Sequence, residues 1–153
     1  MLRTLYKTPS RLCAIIAAVL ILLSACSAKP QDNTAPKEQI GTVLFEVDAK
    51  NAVNYGAEGL FADGAFYPAQ SIPLCGGDSV MAILLRALPD QAEIRGGYVA
   101  GICGLRERDC GAASGWYYYV NGDAPLMSCA KYYPLDGDTI RLLYTVTRGD
   151  IPY

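Results

Sequence analysis

Cysteine offers the widest chemistry in this sequence, because a thiol can form a disulfide, ligate a metal or act as a nucleophile. The chain has 153 residues with six cysteines and no histidine. Four of the cysteines lie between residues 75 and 129: Cys75, Cys103, Cys110 and Cys129. No two of them form a C-x-x-C pair, so neither a zinc site nor a thioredoxin-type motif is indicated. In an exported chain, their even number predicts two disulfides, with three pairings open.

The N-terminus gives the reason to expect export. Arg3, Lys7 and Arg11 precede an apolar run over residues 12–23, and no acidic residue lies among them. As a helix this run would extend about 18 Å, well short of the roughly 30 Å hydrocarbon core of a bilayer. The pattern is typical of a secretory signal rather than of a membrane span.

The run ends in Leu23-Ser24-Ala25-Cys26, which resembles the lipobox of bacterial lipoproteins. The resemblance implies cleavage before Cys26 and acylation of its thiol, so residues 1–25 are predicted to be a signal peptide. The alternatives are an uncleaved anchor and a general signal with an incidental cysteine. Acyl chains would hold Cys26 in the outer face of the bacterial cell membrane, because each buried methylene contributes about 0.8 kcal/mol. Residues 26–39 then form a flexible tether and residues 40–153 a single domain.

Composition argues against several functions for that domain. The chain has 13 Lys and Arg, and removal of the signal with its three basic residues leaves ten of them against 15 Asp and Glu. This acidic balance argues against nucleic acid as a partner. The lack of histidine removes the commonest general base and metal ligand, and Ser114 has no recognisable base. The domain is therefore predicted to be no enzyme and to hold neither a cofactor nor a metal.

The densest aromatic segment of the chain covers residues 114–120 and runs into Asn121-Gly122. On a strand, Trp116 and Tyr118 face one side, whereas Tyr117 and Tyr119 face the other. One side must cover the core, and the other would leave exposed aromatic rings, which often mark interaction sites. We predict a binding surface made of Trp116, Tyr117, Tyr119 and Asn121. The alternative is that these rings serve sheet packing alone.

Several strands are predicted to position this surface. Residues 42–47, 98–102 and 139–147 are rich in β-branched and aromatic residues, and the last segment alternates cleanly. A short strand over residues 69–74 is also expected, and Pro73 would confine it to a sheet edge.

One helix and one hairpin complete the predicted elements. Asp78 is a natural N-cap for an apolar helix that Pro89 ends. Asn121-Gly122 is a strong hairpin signal, with residues 125–133 as the returning strand. One helix against a mixed sheet gives an α+β fold, and a β-grasp arrangement fits this order.

The ordered motifs resemble the transcobalamin C-terminal-like domain, which bacteria carry in secreted proteins and lipoproteins, mostly as a domain of unknown function. The resemblance covers about residues 41–147 and rests on Gly77-Asp78-Ser79-Val80, Tyr98-Val99-Ala100-Gly101-Ile102, Ser114-Gly115-Trp116-Tyr117-Tyr118-Tyr119-Val120-Asn121-Gly122 and Tyr133-Pro134-Leu135-Asp136-Gly137-Asp138-Thr139-Ile140. It implies a β-grasp-like fold and a binding role. In the vitamin carriers of that family, the domain closes over cobalamin held against a second, helical domain.

The resemblance also bears on the disulfides. Bacterial members often have D-C-G before S-G-W and a cysteine after the hairpin turn, as Cys110 and Cys129 are placed in this sequence. A loose hairpin would bring these two cysteines together, which leaves Cys75 to pair with Cys103. A local bond between Cys103 and Cys110 remains the alternative. Closing a loop of about twenty residues contributes roughly 3 kcal/mol.

These features predict an extracytoplasmic lipoprotein with a non-catalytic binding domain, for a small ligand such as a corrinoid-like molecule. The alternative is a cell-surface module that contacts a protein or glycan, with a purely structural aromatic hairpin. A broad pocket beside Trp116 would favour the small ligand, and a flat aromatic face would favour the interaction module.

Overall fold

The computed structural model of the protein describes residues 37–53, 55 and 65–151. The predicted signal peptide and the acylation site Cys26 lie outside the described residues, as does most of the predicted tether. Within the described ranges, no helix combines the length and the apolar character needed to cross a membrane.

The described residues form two helices and seven strands. In chain order these are β1 (Gln39–Asp48), α1 (Lys50–Val53), β2 (Ala65–Cys75), α2 (Val80–Ala87), β3 (Ala92–Arg95), β4 (Tyr98–Ile102), β5 (Leu105–Arg106), β6 (Gly115–Val120) and β7 (Thr139–Thr145).

Four of the strands form a mixed sheet in the order β2-β1-β7-β6. β1 is antiparallel to β2 and parallel to β7, and β6 is antiparallel to β7. The remaining three strands form a second sheet in the order β3-β4-β5. The predicted α+β class, with a mixed sheet and few helices, is confirmed. The predicted edge strand around Pro73 is confirmed as well, because β2 lies at the edge of the main sheet.

A single large hydrophobic core lies between α2 and the inner face of the main sheet. Alternate residues of β1 and β7 point into it, as the period of a strand requires. The fully buried members on these three elements are Val43, Phe45, Val47, Val80, Ile83, Leu84, Ile140, Leu142 and Tyr144. Each such aliphatic side chain contributes about 1.5–3 kcal/mol by leaving water. The core therefore fixes the position of β7 and of its neighbour β6.

The start of α2 differs from the prediction. Ser79 is the N-cap, and its hydroxyl accepts a hydrogen bond from Ala82 N at 3.2 Å. Asp78 lies one residue too early for that role, and its carboxylate turns back toward β2. The helix ends at Ala87, with Leu88 as its C-cap directly before Pro89.

Asp78 joins β2 to α2 through a buried carboxylate, whose side chain is 1% exposed. It accepts hydrogen bonds from Cys75 N at 2.8 Å and from Arg86 Nη2 at 2.5 Å. Lys37 Nζ lies 3.3 Å from its other oxygen. The carboxylate thus holds together the turn before α2, the last turn of α2 and the segment before β1.

The hairpin turn is present, but the predicted returning strand is wrong. Asn121 and Gly122 have φ angles of 54° and 93°, and an isolated bridge joins Val120 to Asp123. Residues 125–133 form no strand, and β6 pairs instead with β7. The physical reason is burial: β7 carries a continuous apolar face, whereas the segment after the turn does not alternate.

Candidate binding site

β6 lies at the edge of the main sheet, and its main-chain groups alternate between two sides. Asn121 N donates to Thr139 O at 2.8 Å, on the side of β7. Val120 N donates instead to Asp123 O at 2.9 Å, on the side away from β7. Even-numbered residues of β6 therefore direct their N–H and C=O groups toward the open side, since the pattern has a period of two.

The start of β6 agrees with this assignment. Ser114 O accepts a hydrogen bond from Arg108 N at 2.9 Å, again on the side away from β7. Between these two ends lie Trp116 and Tyr118, and no described strand pairs with β6 on that side. Their main-chain N–H and C=O groups are thus available to a ligand.

The open side of β6 borders a concave region that we call the β6 groove. It comprises a cavity of about 630 Å³ and an adjoining cavity of about 220 Å³. The two cavities share Tyr98 and Val99 of β4, Trp116 and Tyr117 of β6, and Ala124 of the following loop. The larger volume lies within the range of about 300–1,000 Å³ that is typical of small-molecule sites.

Trp116 is half-buried and belongs to both the core and the groove. Its ring packs edge-to-face against Phe66 and Tyr144, with centroid distances of 5.6 and 5.1 Å. Its indole Nε1 donates to Leu105 O at 2.9 Å. These contacts hold the ring rigidly, so it can offer a preformed wall to a ligand.

Tyr117 and Tyr98 supply exposed rings on the two sides of the groove. Tyr117 is 54% exposed and Tyr98 is 46% exposed. The hydroxyl of Tyr98 donates to Glu107 Oε1 at 3.2 Å, which orients its ring. Apolar surface that is exposed to water is unfavourable, so a ligand that covers these rings gains free energy by burying them.

Tyr119 lines the larger cavity, but its side chain is buried. It is 5% exposed and packs with Leu143 and Ile151 on the outer face of the sheet. Burial in this second, small cluster makes Tyr119 part of the support of the groove wall rather than a free aromatic ring.

Asn121 belongs to the turn and does not line either cavity of the groove. Its Nδ2 donates to Asp138 Oδ1 at 2.7 Å, and its Oδ1 accepts from Thr139 N at 2.9 Å. Asp138 also accepts from Leu135 N at 2.8 Å, within the turn that precedes β7. Of the four predicted binding residues, the groove brings together three, Trp116, Tyr117 and Tyr119.

The loop after the turn forms one wall of the smaller cavity. Tyr118 donates its hydroxyl to Met127 O at 2.7 Å, which ties this loop to β6. Burial, with smaller contributions from Cys129 and Tyr132, raises the pKa of Tyr118 to about 12. The phenol therefore stays neutral and remains a donor at physiological pH.

Burial also raises the pKa of the Cys129 thiol in the same cavity, so this thiol stays protonated and is a poor nucleophile.

The four cysteines of the domain are free, and no pair of sulfurs among the described residues is at bonding distance. The predicted Cys110–Cys129 and Cys75–Cys103 disulfides are therefore absent from this structure. The hairpin that was expected to bring Cys110 opposite Cys129 lacks its second strand, which removes the register on which that expectation depended.

The other two thiols have polar neighbours. Cys103 donates its S–H to Gln91 Oε1 at 3.0 Å, and burial raises the pKa of this thiol. Cys75 Sγ lies 3.5 Å from Arg86 Nη1. Each sulfur thus has a hydrogen-bond partner in its reduced form.

Sequence reasoning missed three residues of the groove: Tyr98, Arg108 and Arg148. All three line the larger cavity. Tyr98 follows a Gly96-Gly97 turn at the start of a strand, a pattern that indicates an exposed ring. The two arginines carried no local signal, because their convergence depends on how the loop before β6 and the segment after β7 are placed.

Residues 77–145 are similar to a family described as "Domain of unknown function (DUF4430)". The match begins just before α2 and ends with β7, so it includes β6 and most of the groove. No curated protein matches the chain.

Proposed function

We propose that the domain is a non-catalytic binding module that holds a small ligand in the β6 groove. The observation that carries this proposal is the concave region beside Trp116, with its cavity of about 630 Å³. A flat aromatic face would have favoured a protein or glycan partner, whereas a pocket of this volume suits a small molecule.

The contacts of the groove support this proposal. Tyr98 and Tyr117 offer exposed rings, and Trp116 offers a ring that the core already holds in place. The open main-chain groups of Trp116 and Tyr118 can orient the polar groups of a ligand. Aromatic rings combined with fixed polar groups are typical of small-molecule sites.

The strand arrangement supports a β-grasp fold for the domain. A helix crosses one face of a mixed sheet whose central strands, β1 and β7, are parallel. This order is compatible with the resemblance to the transcobalamin C-terminal-like domain, and a corrinoid-like molecule is the ligand which that resemblance suggests. The similarity to a domain of unknown function adds no ligand of its own.

A protein-interaction role has one observation in its favour. Leu126 is fully exposed and Met127 is 52% exposed, and both lie on the loop that borders the groove. Neighbouring apolar side chains in water often mark a contact surface. A cell-surface protein that binds over the groove would cover both side chains.

The cellular setting that we propose is the outer face of a bacterial cell membrane, with Cys26 acylated and residues 26–39 as a tether. The Leu23-Ser24-Ala25-Cys26 motif after a short apolar run supports it. Expressed in a bacterium, the protein should label with a fatty-acid analogue and fractionate with membranes. The Cys26→Ala variant should lose both properties, because the substitution removes the thiol to which the acyl chains would be attached. An acylated, membrane-bound Cys26→Ala variant would contradict the proposal.

The binding role is tested with Tyr117→Ala, because the ring of Tyr117 is mostly exposed and its loss should cost the fold less than about 1 kcal/mol. A panel that includes corrinoids and cell-wall fragments is screened against the wild-type protein by calorimetry. The fluorescence of Trp116, the single tryptophan of the chain, reports whether a hit occupies the groove. We expect the variant to unfold at the same temperature as wild type and to bind the hit at least about tenfold more weakly.

Tyr133→Ala is the matched control, since Tyr133 is 62% exposed and lies outside both cavities of the groove. It should bind the hit as wild type does. Equal binding by the Tyr117 variant, or a panel without any hit that changes the fluorescence of Trp116, would contradict a ligand site in the groove.

A further inference from the structure

We infer that the ligand of the β6 groove carries an anionic oxygen group, a carboxylate or phosphate, attached to a ring. Arg108 and Arg148 would bind the anionic group, and the exposed rings of Tyr98 and Tyr117 would contact the ring. This inference rests on the proposed function and adds the chemical class of the ligand.

Two arginines that line the larger cavity lack a carboxylate partner. Neither Arg108 nor Arg148 forms an ion pair with any residue that the structure describes, and both side chains are exposed. The nearby Arg95 and Arg106, in contrast, lie 3.7 Å from Glu107 and 2.6 Å from Glu93 respectively. The cations at the cavity are thus free for a ligand, whereas those beside it are committed to acids of the domain.

The acidic residue of the cavity wall does not cancel this positive charge. Glu107 is the single acid among the lining residues of the larger cavity, as far as the structure describes them. Its Oε1 accepts the hydroxyl of Tyr98 at 3.2 Å and lies 3.7 Å from Arg95 Nη1. Glu107 already has a cationic neighbour in Arg95, so the cavity wall presents two unpaired guanidinium groups against one paired carboxylate, although the domain as a whole is acidic.

The backbone of Arg108 has a defined conformation in the loop before β6. Its φ angle is 69°, in the left-handed region that non-glycine residues rarely adopt. Hydrogen bonds hold it there: Arg108 N donates to Ser114 O at 2.9 Å, and Gly111 N donates to Arg108 O at 3.2 Å. These bonds fix the backbone from which the Arg108 side chain reaches the larger cavity, although a glycine would satisfy this turn without strain.

The two arginines lie 40 positions apart in the sequence, on either side of the segment that contains β6 and β7. Arg108 lies in the loop that precedes β6, and Arg148 lies after β7, next to Gly149 and Ile151, which line the same cavity. Guanidinium groups bind carboxylate and phosphate through paired hydrogen bonds and also pack on aromatic rings. A planar ring with an anionic substituent matches both properties of this cavity.

The test compares two probes that differ in charge and not in shape, naphthoate and naphthamide, by calorimetry on the full protein. We expect naphthoate to bind about tenfold more tightly than naphthamide at low salt, because charge-assisted hydrogen bonds are about twice as strong as neutral ones. Added salt should reduce this difference. Naphthyl phosphate should bind like naphthoate, or better, if the site accepts both anions.

The variants Arg108→Gly and Arg148→Gln should each bring the affinity for naphthoate close to that for naphthamide. Arg108→Gly relieves the positive φ angle, so its unfolding temperature should equal or exceed that of wild type, and weaker binding could not be ascribed to unfolding. Lys131→Gln, which removes an exposed cation outside both cavities, should leave the preference intact.

Two results overturn the inference in distinguishable ways. If both probes bind with equal affinity and change the fluorescence of Trp116, the groove is a ligand site but not an anion site. If neither probe binds, the groove does not recognise a ring with an anionic group, and the inference is wrong whether or not the panel described above gives a hit in the groove. A preference for naphthoate that survives in both arginine variants would also disprove the role of these residues.

Discussion

Asp78→Ala is expected to destabilise the domain by about 2 kcal/mol, since the change removes a buried carboxylate that accepts hydrogen bonds from a backbone N–H and from a partly exposed guanidinium. The carboxylate of Asp78 is 1% exposed and accepts from Arg86 Nη2 at 2.5 Å and from Cys75 N at 2.8 Å. Without it, the N–H of Cys75 loses its partner, and the guanidinium of Arg86 keeps only its contacts with Pro73 O and Cys75 Sγ. Chemical denaturation of wild type and variant measures the difference.

The control for this prediction is Asp123→Ala, which removes an exposed carboxylate whose side chain makes no hydrogen bond to the described residues. Its stability should stay within about 0.5 kcal/mol of wild type. If Asp78→Ala and Asp123→Ala lose equally little stability, the ion pair of Asp78 with Arg86 does not stabilise the fold.

The same carboxylate makes stability depend on pH. Burial acts to raise the pKa of Asp78, but hydrogen bonds from Arg86, Cys75 N and Lys37 outweigh it and hold the pKa below its ordinary value. Because the folded-state pKa is the lower one, the stabilisation is fully present above the unfolded pKa of about 3.9 and is lost as pH falls through the folded pKa. Wild type should therefore lose more stability than Asp78→Ala when the pH falls below about 4.

Trp116→Ala should cost about 3 kcal/mol, at the lower end of the range for aromatic side chains in cores, since Trp116 is half-buried. The change removes the edge-to-face contacts with Phe66 and Tyr144 and the hydrogen bond from Nε1 to Leu105 O at 2.9 Å. Trp116→Phe keeps part of the ring packing and should cost less. Thermal and chemical unfolding of both variants measure the two effects.

This prediction also decides how binding data are interpreted. A loss of binding in Trp116→Ala has two causes, a missing groove wall and a weakened fold, whereas Tyr117→Ala should affect binding alone. If Trp116→Ala unfolds like wild type, the ring contributes little to the core, and its contacts with Phe66 and Tyr144 have been overestimated.

Local patterns predicted the elements whose burial repeats along the chain. The strand over residues 98–102 is β4 with the same bounds, and the alternation noted in residues 139–147 matches the burial of Ile140, Leu142 and Tyr144. The apolar face of the helix and its end before Pro89 are also confirmed. In each case neighbouring residues determine the outcome, because one face of a regular element must leave water.

Features that depend on distant segments were not predictable in this way. The alternation of side chains along β6 predicts that Tyr119 is exposed. Its ring is buried instead, because Ile151, from the segment after β7, packs against it. Asn121 was chosen for its place beside the aromatic residues, yet its amide binds Asp138 and Thr139, which approach only because β7 pairs with β6. The pairing partner of β6 is itself a long-range choice that the Asn-Gly turn does not determine.

The parallel pairing of β1 with β7 sets the order in which the domain can form during synthesis. These strands lie at the centre of the main sheet, and Glu46 and Arg141, which face each other across them, are 95 positions apart in the chain. A ribosome needs roughly 5–20 s to add that many residues, and β1 has no central partner during this time. Contacts between distant residues also form slowly, because a long loop must close first. A chain exported in the way proposed above would thus still be unfolded when its N-terminus reaches the membrane, the state in which a polypeptide can be threaded across.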